Sequence, residues 1–176
     1  HGRIAARLAP EGLPLYAQHV DPIDTGTLVD IFRDDPRASL LGTDALRDGV
    51  DVPGQSLRCV VMEAVPWPRP DILHKARRVA AQEQHGGGGA YDDRIIRARL
   101  AQAFGRLIRN RDDHGHFVVL SAAFPSRLLS AFPKGTVVRR VTLDEALSRI
   151  SEGFIGETTT ATAETSGILD HDIPDM

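Results

Sequence analysis

Short apolar runs alternate along this chain with stretches whose apolar residues recur every three or four positions. Leu13–Gln18, Ala38–Gly42, Leu57–Ala64 and His116–Ser121 are brief, apolar and bounded by polar or turn-forming residues, which predicts strands, and Val137–Val141 reads the same way. Leu57–Ala64 has the continuous apolar character of a strand buried in a parallel sheet. Between the strands, Leu28, Val29, Ile31 and Phe32 repeat with helical spacing behind Asp24, a helix-capping residue, and Asp34-Asp35-Pro36 ends that helix. Asp71 caps a second helix running to about Gln84. Tyr91–Asn110 is the longest helical segment, with Asp92 and Asp93 placed in its first turn and arginines in its last, as the helix dipole favours. Smaller helices are expected at Ser126–Phe132 and Leu143–Ile150. Asp48–Gly54, with two glycines and a proline, predicts a loop. Pro66-Trp67-Pro68-Arg69-Pro70 predicts a rigid extended connector, and Gly86–Gly89 a flexible hinge or disordered loop.

Strands alternating with helices over this length point to an α/β fold, an open parallel sheet of the doubly wound kind. In such sheets ligands bind in the loops at the carboxyl ends of the strands. After Gly153 the sequence turns to Thr, Ala and acids with few apolar anchors, so residues 153–176 read as a flexible acidic tail behind one domain at 1–152, and Gly156–Met176 as mostly disordered. The 176 residues, 41% apolar and 26% charged, have ordinary globular composition. No run of 18 apolar residues is present, so no membrane helix is expected, and the N-terminus lacks the regions of a signal peptide. The single cysteine, Cys59, excludes an internal disulfide and any four-cysteine metal or iron–sulfur site within the chain. A cytoplasmic setting is the default. A start at His1 reads as a piece of a longer protein or a processed one.

The net charge of −3 conceals an asymmetry. From Arg69 to Arg111 ten basic residues stand against four acids, whereas Ser151–Met176 holds six acids and no base. A basic block within an acidic chain points to a local anion site, and its bias toward arginine suits fixed phosphate contacts. On a helical wheel Ile96, Leu100, Ala103 and Leu107 form one stripe, a core face. Arg99, Gln102, Arg106 and Arg109 form another, within about 80°. Four long donor side chains on one surface are either a solvated face or a clamp for an anion. Gly105, beside Arg106, costs about 1 kcal/mol inside a helix, a cost that makes sense if something must approach the backbone there.

The run Gln102-Ala103-Phe104-Gly105-Arg106-Leu107-Ile108-Arg109, followed by Asp113-His114-Gly115, resembles motif VI of the DinG/XPD-like superfamily 2 DNA helicases, Q-x-x-G-R-x-I-R and then D-x-G. Thr43-Asp44-Ala45-Leu46-Arg47-Asp48-Gly49-Val50-Asp51-Val52-Pro53-Gly54 is similar to their motif V. Leu57–Pro70 resembles the strand and P-[FW]-x-x-P loop that follow it. The similarity covers about residues 13–133. Where the family has Asp-x-Arg after motif VI, this chain has Ser121-Ala122-Ala123, and Arg47-Asp48 stands where Trp-Glu is common.

The resemblance implies a second RecA-like motor domain, partial at its N-terminal end, of a helicase that couples ATP hydrolysis to 5′→3′ movement on single-stranded DNA and to duplex unwinding, in DNA repair. Its partners would be single-stranded DNA and a first RecA-like domain of the same polypeptide. That first domain would hold most of the ATP and the Mg²⁺; no G-x-x-x-x-G-K-[ST] occurs here. An iron–sulfur cluster would belong elsewhere in a parent chain. By the same mapping Arg106 and Arg109 are arginine fingers. Gln102 meets the nucleotide or attacking water, and Gly49, Asp51 and Gly105 lie against ATP. Thr43 and Arg99 touch the DNA. The fragment alone is expected to be inactive. The alternative is a non-catalytic nucleic-acid- or nucleotide-binding module on a helicase-like fold.

Other residues carry weaker readings. Asp112, Asp113, His114 and His116 have turn composition rather than metal-site spacing, and no G-x-S-x-G is present. Trp67 either stacks a base or plugs a gap beside the sheet, and packing is the favoured expectation. Arg77, Arg78, Arg94 and Arg97 read as solvated helix faces rather than a DNA track. Cys59 reads as a structural residue of a strand.

Overall fold

The computed structural model describes residues 2–155 apart from 45, 47–51, 53–55, 86–87 and 110–112. It divides into two compact units, His1–Phe132 and Pro133–Met176. In the first unit the order is α1 (Gly2–Leu8), β1 (Leu15–Ala17), α2 (Thr25–Asp34), β2 (Ser39–Leu41), β3 (Cys59–Met62), α3 (Ile72–His85), α4 (Gly88–Leu107) and β4 (His116–Val119), followed by a 3-10 helix at Ser126–Ala131. In the second, residues 136–142 have no regular structure and α5 covers Leu143–Ile155.

Local chemistry sets the boundaries. Asp24 Oδ1 accepts the Thr27 N–H at 3.0 Å and Oδ2 accepts the Thr27 hydroxyl, so α2 starts where the sequence placed its cap. Those two bonds hold the Asp24 carboxyl below the usual carboxylate range. Asp71 Oδ1 accepts the His74 N–H at 2.7 Å and starts α3 in the same way.

The strands form two parallel pairs. In β1–β2, Leu15 lies opposite Ser39 and Ala17 opposite Leu41. In β3–β4, Cys59 lies opposite His116 and Met62 opposite Val119. Parallel neighbours need a long crossover; α2 supplies it for the first pair, and α3 with α4 for the second. The expected α/β class, parallel strands flanked by helices, is what the chain adopts, and among the described residues the strands stand as two pairs.

The apolar stripe of α4 is the principal core. Ile96, Leu100, Ala103 and Leu107 are all buried, and Ile96 and Leu100 join Val65 and Leu128 in one cluster against Met62, Phe117 and Val119. Phe104, Phe117 and Phe132 close it with tilted and edge-on ring contacts at 5.4–5.7 Å. A second cluster joins Val29, Phe32, Leu46 and Val52 beneath Leu40 and Leu57.

Three expectations are corrected. Val137–Val141 is not a strand: no described neighbour offers it a ladder, and Val137 and Val138 are exposed. Gly88 and Gly89 belong to α4 rather than to a hinge. Because α4 begins there, Asp92 and Asp93 fall in its second turn, and their charges meet side chains rather than the helix end. Asp92 pairs with Arg78 at 2.9 Å and lies 3.0 Å from His74 Nε2, while Asp93 pairs with Arg127 at 2.7 Å. The remainder of the Asp48–Gly54 loop apart from Val52, Gly86 with Gly87, and the tail at 156–176 lie outside the described residues.

Candidate functional site

Burial of one stripe of α4 fixes where the other stripe points. Gln102 is exposed, and Arg99 and Arg106 are half-buried. Arg109 follows two residues after the last helical one. Its N–H donates to Asp113 Oδ2 at 2.8 Å, and its Nε donates to the Arg106 carbonyl at 3.3 Å. The guanidinium therefore folds back onto the carbonyl end of its own helix, where a cation is favoured. The structure brings Arg106 and Arg109 together at this end, with Gln102 one turn behind. A side chain built at Gly105 would meet nothing within 4 Å, so no described residue calls for glycine there.

Asp113-His114-Gly115 has a local reason to exist. Asp113 anchors the backbone of Arg109. A Cβ on Gly115 would lie 2.6 Å from the Arg58 carbonyl oxygen and 2.7 Å from Leu107 Cδ1, so only glycine lets the chain turn this close to β3. His116 then donates its N–H to the same Arg58 carbonyl at 2.9 Å and starts β4. The end of α4 and the entry to β4 are thus one braced corner.

Thr43 sits at the carboxyl end of β2. Its N–H and its hydroxyl both donate to Gln18 Oε1 at 3.1 Å, and Gln18 Nε2 donates to Thr25 Oγ1 at 3.1 Å. Gln18 is a buried polar hub tying the ends of β1 and β2 to the start of α2. Sequence reading took it only as the end of a strand; a polar residue closing an apolar run was the available signal. A Cβ on Gly42 would run into the Leu46 side chain, which would have to shift to admit it. Gly49 and Asp51 lie outside the described residues.

Arg99 serves a different place. Its Nη1 donates to the carbonyls of Pro66 at 3.0 Å and Trp67 at 3.2 Å, which latches the connector to α4. Beside this latch an open cleft of about 490 Å³ separates the connector from the start of α3 and the first half of α4. Trp67, Arg69, His74, Arg77, Tyr91 and Arg99 line it, and Asp44, next to Thr43, reaches its edge. Gln102, Arg106 and Arg109 do not. Trp67 is 49% exposed, so it plugs no gap beside the sheet; flanking prolines hold the backbone extended and the ring stays at the rim. The His74 and Tyr91 rings stand 5.7 Å apart, and Arg94 lies over Tyr91 at 5.5 Å. Arg78 is held by Asp92, and Arg97 Nη1 donates to the Arg127 carbonyl at 3.3 Å.

Among the described residues no group of three His, Cys, Asp or Glu side chains could hold a metal ion. Cys59 is half-buried on β3, and burial pushes its thiol pKa up, the setting of an unreactive thiol. No described helix is long and apolar enough to cross a membrane.

Comparison with known proteins fits this arrangement. Residues 2–135 match a family described as "Helicase C-terminal domain". The chain is 36% identical over 141 residues to "ATP-dependent helicase DinG" of Mycobacterium tuberculosis, a match covering 76% of this chain and 21% of that protein. It is 30% identical over 145 residues to "3'-5' exonuclease DinG" of Bacillus subtilis, covering 78% and 16%. It is 36% identical over 100 residues to "ATP-dependent DNA helicase YoaA" of Escherichia coli, covering 53% and 15%. The chain thus spans about a fifth or less of the length of these relatives. With its Gln102-x-x-Gly105-Arg106-x-x-Arg109 helix end braced by Asp113 and Gly115, it belongs to the helicase C-terminal domain family, in its DinG-like branch.

Proposed function

We propose that this chain is the second motor domain of an ATP-dependent DNA helicase, acting on an ATP held mainly by a domain outside it. The observation that carries the reading is the end of α4. There Arg106, in the last turn of a helix with one stripe buried, and Arg109, just past that turn, stand together. Two guanidiniums seated on a rigid element suit charge stabilisation during phosphoryl transfer, because preorganised cations need little rearrangement as charge develops.

In this reading Arg106 and Arg109 are the fingers that meet the β/γ-phosphates. Gln102 contacts the nucleotide or the attacking water, and Gly105 leaves open space for the nucleotide to approach the helix backbone. Gly49 and Asp51 lie against ATP. Thr43 and Arg99 belong to the DNA side. Arg109 would exchange its bond to the Arg106 carbonyl for phosphate oxygens when the two motor domains close, so hydrolysis and product release would open and close the gap between them. The names of the Mycobacterium and Escherichia relatives support the helicase class.

The test is single-stranded-DNA-stimulated ATP hydrolysis by the full-length parent, wild type beside Arg109→Ala. Turnover should fall about 10³- to 10⁵-fold while DNA binding persists. Equal hydrolysis by the two proteins would show that Arg109 is only a structural brace. The chain by itself should hydrolyse no ATP.

A second reading, a non-catalytic nucleic-acid- or nucleotide-binding module, draws on one relative named for exonuclease rather than helicase activity. It takes over if the parent binds DNA without hydrolysing ATP.

A further inference from the structure

The cleft beside the connector is not accounted for by the ATP-side residues. It combines an exposed indole, a floor with two aromatic rings, and three guanidiniums. The tryptophan is held in place twice: Pro66 and Pro68 restrict its backbone, and Arg99 binds the carbonyls of Pro66 and Trp67. A large apolar ring kept half-exposed on a latched segment is a preorganised contact surface, since little side-chain or loop entropy remains to be lost on binding.

Three arginines, Arg69, Arg77 and Arg99, stand against two acids, Asp44 and Asp71, around the cleft. Asp71, at the cleft edge, is engaged in capping α3 through the His74 N–H. Arg69 and Arg77 are exposed, and neither side chain joins a salt bridge or hydrogen bond with another described residue. Arg78, Arg94 and Arg97, on the same helices, are by contrast held by Asp92, Tyr91 and the Arg127 carbonyl. Arg69 and Arg77 are thus two cations of the cleft itself whose charge is left for a ligand.

Flat aromatic surface next to mobile cations is the chemistry that binds a base and its flanking phosphates without reading sequence. The volume of about 490 Å³ lies within the range of ligand-holding clefts, about 300–1,000 Å³. Its open side admits a continuous strand rather than enclosing a free nucleotide. Arg99 precedes Arg106 by two turns of α4, about 10 Å along the axis, so this place is separate from the helix end assigned to ATP.

We propose that Trp67 is a base-stacking platform for single-stranded DNA, with Arg69 and Arg77 contacting the phosphates on either side of the stacked base. The assignment rests on the motor-domain reading and adds to it a subsite and a role for the connector. It also changes the part played by Arg99, which positions the platform instead of holding the strand.

Trp67 is the sole tryptophan of the chain, so its emission reports the site directly. The 176-residue chain is titrated with oligo(dT), with an abasic oligonucleotide of equal length, and with ATP, while anisotropy of a labelled oligo(dT) gives affinity. Oligo(dT) should quench the emission, and the abasic strand and ATP should not. Trp67→Ala should weaken oligo(dT) binding about 5- to 100-fold, with Trp67→Phe retaining most of the affinity. Arg69→Ala with Arg77→Ala should lower the salt dependence, log Kd against log salt, by about 1.4, as two lost phosphate contacts require for a single strand. Binding of oligo(dT) without quenching, unchanged in Trp67→Ala, would overturn the platform and leave the motor-domain reading standing. Quenching by ATP but not by oligo(dT) would overturn the strand assignment in favour of a nucleotide. An absence of oligo(dT) binding would overturn both the platform and the strand-binding half of the motor reading. Because wild-type quenching is itself decisive, a poorly folding variant does not shield the proposal.

Discussion

The β1–β2 half and the β3–β4 half of the first unit are both parallel strand pairs with a helix laid on them, yet they present their chemistry differently. On the β3–β4 side the residues proposed for ATP stand on α4 and just past its end, and three of the four residues in the adjoining cluster are completely buried. On the β1–β2 side the residue proposed for the strand, Thr43, directly follows β2, and every residue of the underlying cluster keeps some exposure, up to 8% at Phe32 and Leu46. Thr43 is positioned there by a hydrogen-bonded hub at Gln18 rather than by burial. Rigid seating suits cations that must meet a phosphate in one geometry. A residue held by a few polar bonds suits a part that must move with its ligand.

The largest expected effect tests that ranking with one chemical change made twice. Leu100→Ala, at a fully buried position, should lie near the top of the ~2–5 kcal/mol range for such truncations, and Leu46→Ala near the bottom. Urea denaturation midpoints of the two variants give the comparison; a larger loss at Leu46 would reverse it.

A smaller effect separates two glycines of the α4 region. Gly115→Ala should destabilise by about 1–3 kcal/mol, because the new methyl runs into the Arg58 backbone. Gly105→Ala should stabilise by about 1 kcal/mol, because it fills open space in a helix. The same Gly105→Ala change should lower ATP turnover of the parent if the nucleotide approaches the backbone there. Stabilisation without loss of turnover would remove Gly105 from the site.

The smallest effect is acid sensitivity at the start of α2. The Asp24 pKa is lower in the folded chain than in the unfolded one, chiefly through the Thr27 hydroxyl. Its contribution to stability is therefore present above the unfolded pKa and fades as pH falls below about 4. Asp24→Asn keeps an acceptor for the Thr27 N–H without titrating, so its thermal midpoint should change less with acid than that of the wild type. Parallel acid profiles for the two proteins would show that the cap's charge contributes nothing.

Some of the site was legible because periodicity constrains a helix. The spacing of Ile96, Leu100, Ala103 and Leu107 named the buried stripe, and with it a separate stripe bearing Arg99, Gln102, Arg106 and Arg109. What spacing cannot give is the partner of each side chain. The four-residue stripe is one surface on a helical wheel, but in the structure Arg99 latches the connector while Arg109 turns back on its helix end. Trp67 was read as packing, since burial is the commoner fate of a large ring; the prolines beside it and the carbonyl latch keep it at the rim. Gln18 carried no periodic signal at all.

Sequence alone determined the strand and helix order from β1 to β4, the caps at Asp24 and Asp71, and the buried face of α4, because these depend on local hydrogen bonding and on a repeat of 3.6 residues; α1 was not among its expectations. Tertiary structure alone decided which acid met which arginine, why Gly115 admits no side chain, and that Val137–Val141 forms no strand. Those outcomes depend on contacts between residues far apart in the chain, and a ladder exists only where a second strand is present to complete it.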